Sequence, residues 1–411
     1  MQANVEMATN REELSLIRFP QQSLQPRPGT DQRPHILYLI DMFTGVHAGG
    51  AERTLVSITR QLPADRFRCS VATFGTDPSL NLAELFNCPV HVLPLRRTYD
   101  WNALKMAIQL RNLIRSEQVS ILHTFFETSD LWGGTVAKLS GCPLLVSSRR
   151  DMGILRKPKH GIAYRLSKPY VDLVLTVSDQ VRSFMIERDG LDPHKVVTLY
   201  SGVEMERFTK PCNTGELRSS LGLQKASHVV CTVGNIRRVK GLDVFIQAAA
   251  QVCRVFPRAV FLIVGYRDDE AHAKELEGLI RELGLSENVR FLGGCPEVYP
   301  LLKLSDVFCL LSRSEGFSMA LLEAMACGLP CVATRVGGNA EAIEEGQSGF
   351  LVEGEDVKAA AERILWLLRD SERSRKMGAA GQQIIEGRFT VEVMVQNLVH
   401  VYDHLLEGKE S

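Results

Sequence analysis

Residues 312–345 read SRSEGFSMALLEAMACGLPCVATRVGGNAEAIEE, and the fold is decided here. The apolar run before it, LSDVFCLL (304–311), predicts a buried strand. Ser314–Phe317 makes a turn, and Ser318 is suited to cap a helix. Met319–Ala326 are mostly strong helix formers. Gly328 fits the position just past a helix end, and Pro330 stops the helix. PCVAT (330–334) then predicts a second strand. The unit is strand, tight loop, helix, strand, with the helix starting at the carboxyl end of a parallel strand.

That arrangement has a chemical use. The free backbone N–H groups of such a helix start attract phosphate. Glu315 precedes the helix and Glu323 sits more than one turn inside it, too far apart for a close acid/base pair. They suit opposite ends of one elongated ligand, because carboxylates accept hydrogen bonds from sugar hydroxyls. The residues point to a polyhydroxylated ligand with a diphosphate at its middle.

Outward from this stretch the same alternation repeats. HILYLI (35–40) predicts a strand, followed by a loop ending in Gly49 and Gly50 and an amphipathic helix, a unit that lets backbone approach a phosphate or sugar closely. Further strands are predicted at RCSVATF, PVHVL, VSILHTF, CPLLVSS, VDLVLTVS and KVVTLY. Helical patterns lie between them, which implies a parallel, doubly wound sheet with ligand sites at the strand carboxyl ends. His123 stands at one such end, and Arg149, Arg150 and Asp151 at the next. The segment ILRKPKHGIAYRLSKPY (154–170) is basic with apolar residues interleaved, a composition suited to an anionic lipid surface or a phosphate-bearing acceptor.

After residue 200 the pattern weakens. A hinge is expected over 206–226, between a first domain at 34–205 and a second at 227–388, with residues 389–411 forming a final helix that bears an apolar stripe. Residues 1–33 are polar and expected to be a disordered extension. The second domain opens with HVVCTVGNIRRVKG (228–241), a strand and a basic loop. Arg237, Arg238 and Lys240 make that loop cationic. Two more helices are predicted after the last strand, SGFLV.

Composition narrows the function class. A chain of 411 residues is too long for one core. Its formal net charge of zero argues against general nucleic-acid binding. The 10 cysteines show no metal-ligand spacing, and with no secretory signal they are expected to be reduced, in a cytoplasmic protein, peripheral at most to the inner face of a membrane. No Asp-x-Asp metal motif is present, so neither metal nor cofactor is expected.

The Glu-x7-Glu spacing inside SxSEGF, LLEAMA, GLPCVAT and GGNAE resembles glycosyltransferase family 4, the retaining group 1 enzymes of GT-B fold. The resemblance runs from about residue 35 onward. It implies two Rossmann-like domains facing each other across a cleft, and transfer of a hexose-type sugar from a nucleotide diphosphate sugar to a hydroxyl of a glycan or lipid-linked acceptor in polysaccharide or glycolipid synthesis. By the match, Glu315 faces the donor sugar and Glu323 the ribose. Gly316, Phe317, Ser318 and Met319 hold the diphosphate on the helix start, and Gly49 and Gly50 approach the donor from the first domain. Lys240 and Arg237 act with Glu315 in catalysis, Arg238 adds charge at the diphosphate, and His123, Arg149, Arg150 and Asp151 lie on the acceptor side. Two departures stand out: Asn235 occupies the place of the family's arginine, and SRRD replaces a segment that carries a histidine in many members. Rival readings are a catalytically weak GT-B subunit that binds sugar nucleotide and scaffolds an assembly complex, and a GT-B sugar-nucleotide epimerase.

Overall fold

The computed structural model describes residues 31–45, 49–153 and 158–408. Most of the expected N-terminal extension and residues 154–157 of the basic segment lie outside them. The chain packs as two compact units. The first runs to Ser201 and resumes at Val391, and the second is Gly202–Thr390.

In the first unit seven strands form one sheet. They are β1 (His35–Ile40), β2 (Arg68–Thr73), β3 (Val90–Val92), β4 (Val119–Phe125), β5 (Leu144–Arg149), β6 (Leu173–Thr176) and β7 (Val196–Thr198). All pairings are parallel, in the order β3-β2-β1-β4-β5-β6-β7. Both faces must then be covered, which is why HILYLI is mostly apolar and buried at all six positions. Helices Gly50–Gln61 and Val391–Glu407 cover one face through Leu55, Ile58, Leu398 and Tyr402. Helices Trp101–Ser116 and Gly134–Leu139 cover the other through Met106, Leu110, Ile114 and Ala137.

The second unit holds β8 (His228–Val233), β9 (Ala259–Val264), β10 (Val289–Gly293), β11 (Val307–Leu310), β12 (Cys331–Thr334) and β13 (Gly349–Val352). They are again parallel, in the order β10-β9-β8-β11-β12-β13. The strand order reverses between β1 and β4 in one sheet and between β8 and β11 in the other. Each reversal opens a crevice at the strand carboxyl ends, because the following helices depart to opposite faces.

Two expectations about elements differ from what is seen. Residues 206–226 carry helices Met205–Thr209 and Thr214–Ser220, and belong to the second unit. The Tyr299 hydroxyl donates to the Lys210 carbonyl and Arg290 to the Leu221 carbonyl. The second helix starts at Asn213, whose side chain accepts from the Glu216 N–H. After β13 there are three helices, Val357–Arg369, Ser371–Arg388 and Val391–Glu407. The middle one hides in sequence because Gly378, Gly381 and Gly387 lower its propensity. Close packing repays that: a Cβ on Gly378 would lie 1.9 Å from the Gly328 carbonyl oxygen.

Candidate active site

The reversal in the second sheet brings together the loops after β8 and β11. From the first, Lys240 ends the short turn Arg238–Lys240. From the second, Glu315 precedes helix Met319–Ala326, capped by the Ser318 hydroxyl, which accepts from the Leu321 N–H. Lys240 Nζ lies 2.7 Å from Glu315 Oε1, and the Ser312 hydroxyl donates to the same oxygen at 2.6 Å. The Glu315 side chain is 10% exposed and that of Lys240 24%. Of the three ammonium N–H groups, this contact occupies one.

Two glycines make the approach possible. Gly241 has φ +61°, and a Cβ there would lie 1.9 Å from the Leu311 carbonyl oxygen. Gly337 has φ +53°, and a Cβ would lie 2.0 Å from the Glu315 carbonyl oxygen, while the neighbouring Gly338 N–H donates to Gly316. The Glu315 loop is thus clamped from both sides by backbone.

The other predicted residues of this loop region divide. Gly316 and Phe317 are buried, and the Phe317 ring packs on Phe389 at 5.1 Å. Phe317 therefore has only its backbone to offer a ligand. Met319 is half-buried at the first helical turn. Glu323 is 5% exposed inside the helix.

Arg237 and Arg238 do not join Lys240. Both Arg237 Nε and Nη2 contact Asp268 Oδ2, at 2.7 and 2.5 Å, and Arg238 pairs with Glu275 at 2.6 Å on helix Glu270–Glu282. A short helical turn sends successive side chains in different directions, so neighbours in sequence cannot all face one ligand. Sequence reading missed Asp268 and Glu275, which lie more than 30 residues away and draw both guanidinium groups outward. Asn235 also binds Asp268, at 3.0 Å, and accepts from the Tyr266 N–H. It ties the loop after β8 to the loop after β9.

In the first unit a cavity of about 330 Å³ opens at the ends of β1, β4 and β5. Arg149, Arg150 and Asp151 line it, with Asp41, Asp130, Ser148 and Tyr164. Arg149 is 8% exposed. Its guanidinium stacks 3.7 Å over Tyr164 and reaches Asp130 at 3.2 Å. Asp130 also accepts from Thr124, from Ser147 at 2.8 Å and from Tyr164 at 3.2 Å, although burial raises its pKa. Arg150 donates to Thr54 and Ser201, at 2.9 and 2.7 Å. Among the described residues no carboxylate pairs with it, and burial lowers its pKa to about 10. Asp151 closes its own turn by accepting from the Gly153 N–H.

His123 does not reach this cavity. It is fully buried, 2.7 Å from the Tyr402 hydroxyl and 2.8 Å from the Ser148 hydroxyl, with its ring stacked on Phe125. Burial first, and the Arg150 charge second, push its pKa down to about 3. It is a neutral core histidine behind Ser148, because position 123 faces the side of β4 that helix Val391–Glu407 covers. Gly49 and Gly50 start helix Gly50–Gln61, where Glu52, missed in sequence, accepts from the N–H groups of Gly49 and Thr44 and closes the loop.

Comparison with known proteins gives the class. The family model described as Glycosyl transferases group 1 matches residues 213–384, and that described as Glycosyltransferase Family 4 matches residues 48–207. A D-inositol 3-phosphate glycosyltransferase of Catenulispora acidiphila is 31% identical over 70% of this chain and 73% of its own length. The N-acetyl-alpha-D-glucosaminyl L-malate synthase of Bacillus anthracis is 33% identical over 53% of this chain, and the match spans only 56% of that relative. Among solved structures, Anabaena HepE in complex with UDP and glucose has a TM-score of 0.79 at 24% identity, over 90% of this chain and 100% of that one. The chain belongs to the group 1, family 4 glycosyltransferases, and its two Rossmann-like units are those of the GT-B fold.

Proposed function

We propose that the protein transfers a hexose-type sugar, with retention at the anomeric carbon, from a nucleoside diphosphate sugar to a hydroxyl of a glycan or lipid-linked acceptor. The observation that carries this is the Lys240–Glu315 pair, set at the sheet reversal beside the capped start of helix Met319–Ala326. Diphosphate needs fixed N–H donors and a cation, and these stand together there. Lys240 holds the phosphates with its remaining donors, and Glu315 accepts from sugar hydroxyls. Glu323 takes the ribose. Catalysis then rests on positioning and charge stabilisation, without a protein nucleophile. Arg149 and Arg150 serve an acceptor that carries negative charge. In support, the named activities of two relatives involve an inositol phosphate and a malate.

Thermal stabilisation by a panel of nucleoside diphosphates and their sugars tests the donor site, since ligand binding to the folded state raises the melting temperature. One nucleotide and its sugars should stabilise the protein selectively, and Lys240→Met should remove the shift. Glu315→Gln should keep most of it while losing turnover by at least about a hundredfold, the scale for removing a group that stabilises transition-state charge. No shift with any nucleotide would sink the reading. The withdrawal of Arg237 to Asp268 favours a second reading, a subunit that binds donor without turnover. A donor-dependent shift with no sugar consumed across a wide acceptor panel would establish that one instead.

A further inference from the structure

We propose that the outward face of helix Trp101–Ser116 docks on an anionic lipid bilayer. The inward face is ordinary core, formed by Ala103, Met106, Leu110 and Ile114. The outward face is not an ordinary solvated one. Trp101 is 86% exposed, Leu104 52% and Ile108 48%, and Tyr99 just before the helix is 81% exposed. At 3.6 residues per turn, positions 101, 104 and 108 fall in one narrow arc, on the side opposite the buried four. Single exposed apolar residues are common, whereas an aligned row led by tryptophan is a surface built for contact.

The charges name the partner. Residues 95–116 hold Arg96, Arg97, Lys105, Arg111 and Arg115 against one acid, Asp100, in a chain whose net charge is zero. Asp100 is committed to capping, accepting from the Ala103 N–H at 2.8 Å. Glu117, just past the helix, contacts His35 and His91. Aromatic and aliphatic side chains flanked by cations match the layer where headgroups meet acyl chains. A second copy of the chain fits badly, because a two-fold contact would set this cationic face against itself. The surface extends further. Helix Gly134–Leu139 runs alongside, tied by Arg115 Nε to the Ser140 carbonyl at 3.2 Å, and ends in Leu139, 81% exposed. The docking gives the proposed transferase access to a lipid-linked acceptor and to that extent rests on that reading, but its test needs no turnover.

The test is co-sedimentation of the full chain with phosphatidylcholine vesicles, with and without about a third phosphatidylglycerol. Binding should require phosphatidylglycerol and weaken at least about tenfold between roughly 0.1 and 0.5 M salt, as screening demands. A Trp101→Ser/Ile108→Ser variant should lose most of the binding. Both positions are surface-exposed, so its melting temperature, and any nucleotide shift, should match the parent. Trp101→Phe should abolish a vesicle-induced blue shift in tryptophan emission. Three outcomes would overturn the proposal: no binding to phosphatidylglycerol vesicles, unchanged binding by the double variant, or a parent dimer that the double variant dissociates. A parent that binds vesicles but no nucleotide would leave the docking standing and remove the donor site.

Discussion

At the scale of single residues, burial rather than identity decides what a titratable group does. His123 lies within strand β4 and Lys240 in the turn after β8, so one is sealed in a core and the other half-open in a crevice. The His123 pKa of about 3 lies below the unfolded value of about 6.5. The unfolded chain therefore binds an extra proton between those values, and the native state loses stability as pH falls from about 6.5 toward 3, by up to about 1.4 kcal/mol per pH unit. Above pH 6.5 this contribution is constant. His123→Gln should lower stability at pH 7.5 and flatten its decline toward pH 5, as read from urea unfolding of both proteins at the two pH values. An unchanged slope would show that another group carries the acid sensitivity. Ser312 is a second residue-scale case. Its hydroxyl fixes Glu315, so Ser312→Ala should reduce turnover roughly three- to tenfold, the scale of one lost hydrogen bond of about 1 kcal/mol, with the nucleotide shift retained.

At the scale of elements, the Glu315 loop is held by backbone that admits no side chain. Gly241→Ala would set a Cβ against the Leu311 carbonyl in a left-handed conformation. The expected cost is about 1–3 kcal/mol, together with loss of nucleotide stabilisation, measured in the same thermal assay. Local pattern also marks what could be read in advance. The strand, capped helix and stop in residues 304–334 were legible because each signal is local: an apolar run, Ser318, Gly328 and Pro330. The pairing of Lys240 with Glu315 was not, since it depends on which strands become neighbours. The outward turn of Arg237 and Arg238 depends on Asp268 and Glu275, which no spacing rule connects to them. Helix Ser371–Arg388 was missed because its three glycines lower helix propensity, while the close approach that Gly378 serves is tertiary.

At the scale of the molecule, two parallel sheets were foreseeable from alternating strand and helix patterns in a chain too long for one core. The seven- and six-stranded orders were not, as they are set by crossover geometry. The first unit also depends on residues far away in sequence. Leu398 and Tyr402 are fully buried against its sheet. Leu398→Ala should therefore cost about 2–5 kcal/mol and speed amide exchange along β1 and β4, although position 398 lies more than 270 residues from either strand. Exchange quickened only within the last helix would argue against a shared core.

That dependence has a consequence for how the protein comes to be made. The first unit's seven strands leave the ribosome ahead of Gly202–Thr390, but the helix that roofs them follows that whole unit. At about 5–20 residues per second, the interval between Ser201 and the last helix is on the order of 10–40 s. Through that time Tyr38, Phe125 and their neighbours form an apolar floor that helix Gly50–Gln61 covers only in part, while the 189 residues of Gly202–Thr390 are still being synthesised and folded. The nascent chain is therefore a natural client for holding chaperones. Stalling translation before Val391 should leave a first unit that sticks to them.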